Sequence, residues 1–229
     1  MKEKAQTHLN NPARLQGWPT VISDWSADVE TFKVPQTKAM MWFFLLSDTF
    51  IFGCFLIAYM SVRMTTEVAW PNPSEVFALT IAGKELPLIL IAIMTFILIS
   101  SSGTMAMAVN FAYRGERKKT FILMLLTAFF GLAFVGMQAF EWSTLIHEGV
   151  RPWSNPMGAA QFGASFFMIT GFHGLHVSAG VIYLVVIALK VKKGRYEKSG
   201  NYQNVEIAGL YWHFVDLVWV FIFAFFYLW

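Results

Sequence analysis

The stretch that decides the fold is the last one in the chain, residues 206–229, which reads EIAGLYWHFVDLVWVFIFAFFYLW. Nearly every residue in it is apolar, and at ~1.5 Å per residue about 20 residues cross the hydrocarbon core of a bilayer. The stretch is therefore long enough to be a transmembrane helix. Helical periodicity brings its ionisable residues to one face, whose members are Glu206, Gly209, His213, Asp216 and Val220.

Two of these residues need an explanation, because they fall well inside the predicted helix. A charge at membrane depth costs ~2.5–3.5 kcal/mol even on lenient insertion scales. We therefore expect His213 and Asp216 to face protein, water or another chain rather than lipid.

The composition extends the membrane interpretation to the whole chain. Its 229 residues are 56% hydrophobic and 14% charged, which is too apolar for a soluble domain and typical of a polytopic membrane protein. The single cysteine, Cys54, excludes an internal disulfide and any metal site that needs a cysteine pair. The fold class that we predict is an all-α membrane protein, a bundle of five transmembrane helices.

Hydrophobic runs divide the chain into a polar N-terminal tail, residues 1–38, and a transmembrane domain, residues 39–229. Pro87 is placed in the first turn of the second span, where its missing N–H has no cost. The five predicted spans are residues 39–62, 87–112, 120–146, 163–189 and 206–229.

The distribution of Lys and Arg predicts the orientation of the spans. Of the 17 such residues, five lie in the tail, four between the second and third spans, and five between the fourth and fifth. These segments share one side of the membrane if there are five spans. The N-terminus is therefore expected to be cytoplasmic and the C-terminus periplasmic.

Polar side chains interrupt the other spans as well. Asp48 lies in the first span, Gln138 and Glu141 are spaced i,i+3 on one face of the third, and His173 and His176 are one turn apart in the fourth. Counting ~1.5 Å per residue along each span gives the depth of these groups in the membrane. Glu141 lies close to the far interface, in a milder environment. The groups near the middle of the membrane are Asp48, His173, His176, His213 and Asp216.

Alternative roles remain open for these groups. His173 and His176 are either metal or haem ligands or hydrogen-bonding groups between helices. Asp48 and Asp216 are either proton-relay groups or members of an Asp–His pair, with His213 or His176, that holds the bundle together. Contact with another chain is a third role.

Two long motifs carry a resemblance to a known family. FFMITGFHGLHVSAG, residues 166–180, and YWHFVDLVWVFIF, residues 211–223, resemble the closing helices of cytochrome c oxidase subunit III. LLSDTFIFG, residues 45–53, resembles that family's first shared span, in which Glu is usual where this chain has Asp48. GMQAFEW, residues 136–142, is similar to its Q-x-x-E-Y segment. The resemblance covers Met41 to Trp229.

The resemblance implies an accessory subunit of a proton-translocating haem–copper oxidase that reduces O2 to water in a bacterial cytoplasmic membrane. Such a subunit binds no haem or copper, since these belong to partner subunits, and no catalytic or metal-binding residue is expected. It packs against the catalytic subunit, binds phospholipid, and supports oxygen access and proton uptake. The partners implied are subunits I and II, phospholipids and a respiratory supercomplex, with no nucleic acid. The residues that match the family's polar positions are Asp48, Gln138, Glu141, His173, His176, His213 and Asp216.

Other assignments stay open at this point. Two alternatives are close to this assignment: subunit III of a ubiquinol oxidase and a companion subunit of nitric oxide reductase. The sequences of the spans do not indicate which electron donor the complex uses. A proton-coupled transporter is a candidate from another class. Transporters usually show inverted repeats and broken helices at mid-depth, which this sequence lacks.

Overall fold

Five long helices dominate the computed structural model, which describes residues 35–81, 84–196 and 202–228. Within these residues, each of the five is long and apolar enough to cross a membrane, so the predicted all-α, five-helix fold class is confirmed. The predicted tail lies outside the described residues except for its last four positions. The helices are α1 (Gln36–Thr65), α2 (Ile89–Tyr113), α3 (Arg117–His147), α4 (Ala160–Lys192) and α5 (Gln203–Phe223).

A short connection between α1 and α2 differs from the prediction. A single helical turn, Pro73–Val76, leads into two antiparallel strands, β1 (Ala78–Ile81) and β2 (Lys84–Pro87). Pro87 therefore ends a strand, and its predicted place in the first helical turn is wrong. The reason is the next residue, Leu88, whose φ of 59° turns the chain before α2 begins at Ile89.

Four of the helices pack in a closed arrangement: α3 lies between α2 and α4, and α5 contacts both α2 and α4. Trp212 of α5 fills the centre and is 1% exposed. Glycines make room for its indole, because a Cβ at Gly180 of α4 would lie 3.1 Å from a Trp212 ring carbon. Small residues at such positions let transmembrane helices approach closely.

Helix α1 packs on the outside of α4 and α5 through aromatic rings. Phe52 lies 5.3 Å from Phe172 of α4, measured between ring centroids. Tyr59 lies 4.1 Å from Phe226, which belongs to the π-helical continuation of α5, Ala224–Leu228. These contacts bring the face of α1 that carries Asp48 against α4.

Candidate functional site

The predicted polar residues do not form one cluster but separate groups along the bundle. Four are buried at 1–5% exposure, and three are half-buried. Each group links a different part of the bundle. The buried residues are Asp48, Gln138, Glu141 and His173, and the half-buried ones are His176, His213 and Asp216.

Asp48 of α1 and His176 of α4 form an acid–imidazole pair. Asp48 Oδ2 lies 3.1 Å from His176 Nε2, although the two groups are not aligned as a regular hydrogen bond. The other ring nitrogen, Nδ1, lies 2.8 Å from the carbonyl oxygen of Phe172. Of the four Asp–His pairings that the sequence allowed, this is the one in which a carboxylate oxygen and a ring nitrogen lie within 4 Å of each other among the described residues.

The partners of His176 restrict where its protons lie. A carbonyl oxygen only accepts, so His176 Nδ1 must carry the hydrogen that it donates to Phe172. If Nε2 and the carboxylate both lacked a proton, their lone pairs would face and repel each other. A proton on either Nε2 or the carboxylate would remove that repulsion, and in both cases the pair as a whole would carry no net charge. A neutral pair suits a site in which Asp48 is only 5% exposed.

Glu141 of α3 lies in a second group with Gln138 and Tyr227. Gln138 Nε2 donates to Glu141 Oε2 at 2.7 Å, and the Tyr227 hydroxyl lies 3.2 Å from both carboxylate oxygens. Glu141 is 5% exposed, as buried as Asp48. The expectation of a milder environment at the interface is therefore wrong, because Tyr227, in the π-helical end of α5, lies against the carboxylate.

Tyr227 is a polar partner that sequence reasoning missed. It is the one hydroxyl-bearing residue in the π-helical turn AFFYL, residues 224–228. A signal was present in the topology: α3 and α5 run in the same direction and therefore end on the same side. A tyrosine near the end of α5 is then at the right depth to meet an acid near the end of α3.

A third group joins α2 to α5. His213 Nδ1 lies 2.5 Å from Ser102 Oγ, and Asp216 interacts with both of these residues. Tyr113 donates a hydrogen bond to Glu206 at the other end of the same helix pair. The polar face of the last helix therefore meets the serine-containing turn of the second.

Two tryptophans extend this seam between α2 and α5. Trp212 Nε1 donates to Ser101 Oγ at 2.9 Å, and Trp219 Nε1 donates to Thr95 Oγ1 at 3.1 Å. A buried indole N–H needs a partner, and the hydroxyls of α2 supply it. The hydroxyls of the run SSSGT, residues 100–104, thus take part in helix packing.

His173 stands apart from its neighbour His176. It is 1% exposed, and neither ring nitrogen has a hydrogen-bond partner among the described residues. Its ring stacks on Trp219 with 5.4 Å between centroids, and Phe134 meets it edge-on at 5.8 Å. The two histidines therefore face different surroundings. Across residues 35–81, 84–196 and 202–228, no group of three or more His, Cys, Asp or Glu residues could hold a metal ion.

The fold and these contacts define a class: a multi-pass membrane protein whose interior polar groups bind its helices to one another. Comparison with known proteins gives the family. The family model described as cytochrome c oxidase subunit III matches residues 23–229. The chain therefore belongs to the cytochrome c oxidase subunit III family, and it is a third subunit of a haem–copper oxidase, an oxidoreductase complex of the respiratory chain.

Two relatives show how close the similarity is. The chain is 33% identical over 187 residues to a probable quinol oxidase subunit 3 of Staphylococcus saprophyticus, covering 82% of this chain and 86% of that protein. It is 32% identical over 197 residues to a probable quinol oxidase subunit 3 of Staphylococcus aureus, covering 86% and 90%. Membership of this family implies catalytic partner subunits, in which the metal centres reside.

Proposed function

We propose that the chain acts as a structural subunit that stabilises the catalytic subunit of a proton-translocating oxidase reducing O2 to water. The observation that carries this proposal is how the buried polar groups are used. The Asp48–His176 pair joins α1 to α4, and Glu141 joins α3 to the end of α5. These contacts hold helices in place, and such a rigid bundle is suited to supporting a neighbouring subunit.

Phospholipid and oxygen access belong to the same proposal. Two open grooves on the bundle are lined mainly by apolar side chains. One, of about 410 Å³, lies between α3 and α4, and the other, of about 300 Å³, lies between α1 and α5. Grooves of this size and lining suit an acyl chain, and they offer an apolar solute such as O2 a path along the protein.

Asp48 and its partner are the residues to which we assign support of proton uptake. Asp48 Oδ2 lies 3.1 Å from His176 Nε2, and the resemblance to the family matches Asp48 to a position at which Glu is usual. Because Asp is one methylene shorter than Glu, the distance from Asp48 to His176 in this chain is not expected to apply to relatives that have Glu at this position. In this role the pair is a positioning element for the subunit interface rather than a redox or metal site.

The membrane and the partners are also part of the proposal. Subunits I and II of the oxidase are the expected neighbours, within a respiratory supercomplex in a bacterial cytoplasmic membrane. The excess of Lys and Arg in alternate connections supports an N-terminus on the cytoplasmic side.

Two electron donors are candidates for the complex. The sequence-based expectation is cytochrome c, supported by the description of the family model. Quinol is the second candidate, because relatives at 32–33% identity are named quinol oxidase subunit 3. The donor docks on other chains, so the contacts within this subunit favour neither.

The donor assay tests the proposed function directly. We expect the complex that is purified through an affinity tag on this chain to consume O2, because the oxidase activity resides in the partners that it retains. Oxygen uptake is measured with reduced cytochrome c and, separately, with a soluble quinol, and an untagged strain controls for carry-over. Uptake with cytochrome c supports the first donor, and uptake with quinol alone supports the second. A complex that is inactive with both donors and contains no haem would contradict the proposal.

A further inference from the structure

We propose that the outward face where α2 and α5 meet binds a transmembrane helix of the catalytic subunit. This face, called here the α2–α5 face, consists of Ser102, Gly103 and Ala106 of α2 with His213 and Asp216 of α5. The inference rests on the proposed function, because that function supplies the partner, and it adds which surface of the bundle the partner occupies.

The first observation is the incomplete burial of two polar groups at mid-depth. His213 and Asp216 are half-buried, unlike Asp48, Glu141 and His173, which the bundle itself covers. Asp216 lies ~20 Å along a helix that starts at Gln203, close to the middle of the span. Hydrocarbon is a costly neighbour for an imidazole and a carboxylate, so polar groups at such depth face protein or water.

The second observation is the polar chemistry of the side chains on the same face. Ser102 is engaged with His213 Nδ1 at 2.5 Å. Asp216 Oδ1 is buried within the chain and has no hydrogen-bond partner among the described residues, so a partner helix would meet the exposed parts of the two half-buried side chains, His213 and Asp216. Lipid tails carry no donors. The chemistry that complements this face is therefore a helix that brings a hydrogen-bond donor or a cation to the depth of Asp216.

The third observation is that the face admits a close approach. Gly103 is exposed, and a Cβ built on it would meet nothing within 4 Å. Ala106 follows three residues later, on the same side of α2, and is exposed as well. Small residues on an outward face let a second helix come near enough for side-chain hydrogen bonds. Larger exposed side chains, Phe96 at 72% and Ile99 at 52%, lie on the same side of α2 one to two turns before Gly103, so the close approach is confined to the turn of Gly103 and Ala106.

These observations together favour a protein helix over the other occupants. Bulky apolar side chains suit lipid, whereas a small-residue surface with an acid and an imidazole suits a polar helix contact. The catalytic subunit is the partner that family membership implies for this chain. A second copy of the chain and a lipid are the competing occupants, and the experiment separates them.

The experiment places a photoreactive residue on either side of the bundle in the tagged full-length chain. Gly103→benzoylphenylalanine probes the α2–α5 face. Gly136→benzoylphenylalanine is the matched control, because Gly136 is also an exposed helical glycine whose Cβ would meet nothing within 4 Å, but it lies on α3. Native membranes are irradiated, and the cross-linked products are identified by mass spectrometry.

We expect the residue at position 103 to cross-link to the catalytic subunit at least tenfold more than the residue at position 136. A product of two copies of this chain, a lipid adduct alone at position 103, or equal cross-linking from position 136 would overturn the inference. Unmodified tagged chain is purified in parallel. If it retains the catalytic subunit while position 103 gives no cross-link to it, the face is wrong and the proposed function stands. If it retains no such subunit, the proposed function fails as well.

A substitution gives a second measurement that does not depend on cross-linking. Gly103→Leu places a bulky side chain on the α2–α5 face without a clash inside the chain, so its level in the membrane should match that of Gly136→Leu. Recovery of the catalytic subunit with the tagged chain should fall several-fold for Gly103→Leu only. Equal recovery from the two variants would contradict the inference.

Discussion

Gly131→Leu should remove most of the chain from its complex, because the new side chain has no space. Gly131 is buried on α3, and a Cβ there would overlap the indole of Trp212 and lie 2.8 Å from Val181 Cγ2. The indole cannot move without loss, since its Nε1 donates to Ser101 and the side chain is 1% exposed. Overpacking of a tight core costs ~1–3 kcal/mol, and occasionally more. We expect the upper end here, because three helices meet at this point.

The measurement is the amount of tagged chain and of co-purified haem in detergent extracts, together with the temperature at which the complex aggregates. Gly136→Leu is the control, since it makes the same change on the same helix where a Cβ meets nothing within 4 Å. If Gly131→Leu assembles as well as Gly136→Leu, the packing of α3 against α5 around Trp212 is not as described.

Asp48→Leu should have the second-largest effect. The substitution keeps the number and branching of the side-chain heavy atoms but leaves His176 without its acidic partner, at a position where Asp48 is 5% exposed. Removing one member of a buried pair typically costs ~3–5 kcal/mol. Because the pair links α1 to α4, we expect α1 to loosen and the chain to be lost from the complex during purification.

The double variant Asp48→Leu/His176→Leu separates pairing from other effects. With both partners apolar, no polar group is left uncompensated, so retention should recover substantially compared with Asp48→Leu alone. Ser47→Leu, which adds the same side chain at the exposed neighbouring position, should leave retention unchanged. Normal assembly of Asp48→Leu with lost turnover would show that the carboxylate acts in proton transfer rather than in holding the helices.

The helices themselves could be predicted because each is an apolar run long enough to cross a bilayer. The connection before α2 could not, since KELP, the sequence of β2 at 84–87, contains no β-branched or aromatic residue that would indicate a strand. Leu88 reverses the chain with a positive φ, and such a conformation leaves no signature in the sequence when the residue is not glycine or asparagine.

The polar contacts were predictable only where they are local. Gln138 and Glu141 share one helix face, so their spacing indicates a contact that the structure contains. The choice of His176 over His213 as the partner of Asp48 depends on how α1 is rotated against α4. A sequence gives depth along a helix but not this rotation between helices.

The tyrosine at the end of α5 was hidden for a different reason. Tyr227 reaches Glu141 because the last turn is a π-helix, and in a regular α-helix the side chains of that turn would point elsewhere. The same turn explains why Glu141 is buried although its depth alone places it near the interface.

The account as a whole claims that this subunit contributes structure while the redox metals reside in its partners. The most direct test is to purify the complex through this chain, separate the subunits in a stronger detergent, and measure the Soret absorption, iron and copper of each fraction. We expect haem, iron and copper to follow the catalytic fraction, and this chain to carry none in stoichiometric amount. Stoichiometric haem or copper on the isolated chain, lost in a His173→Leu or His176→Leu variant, would contradict the account.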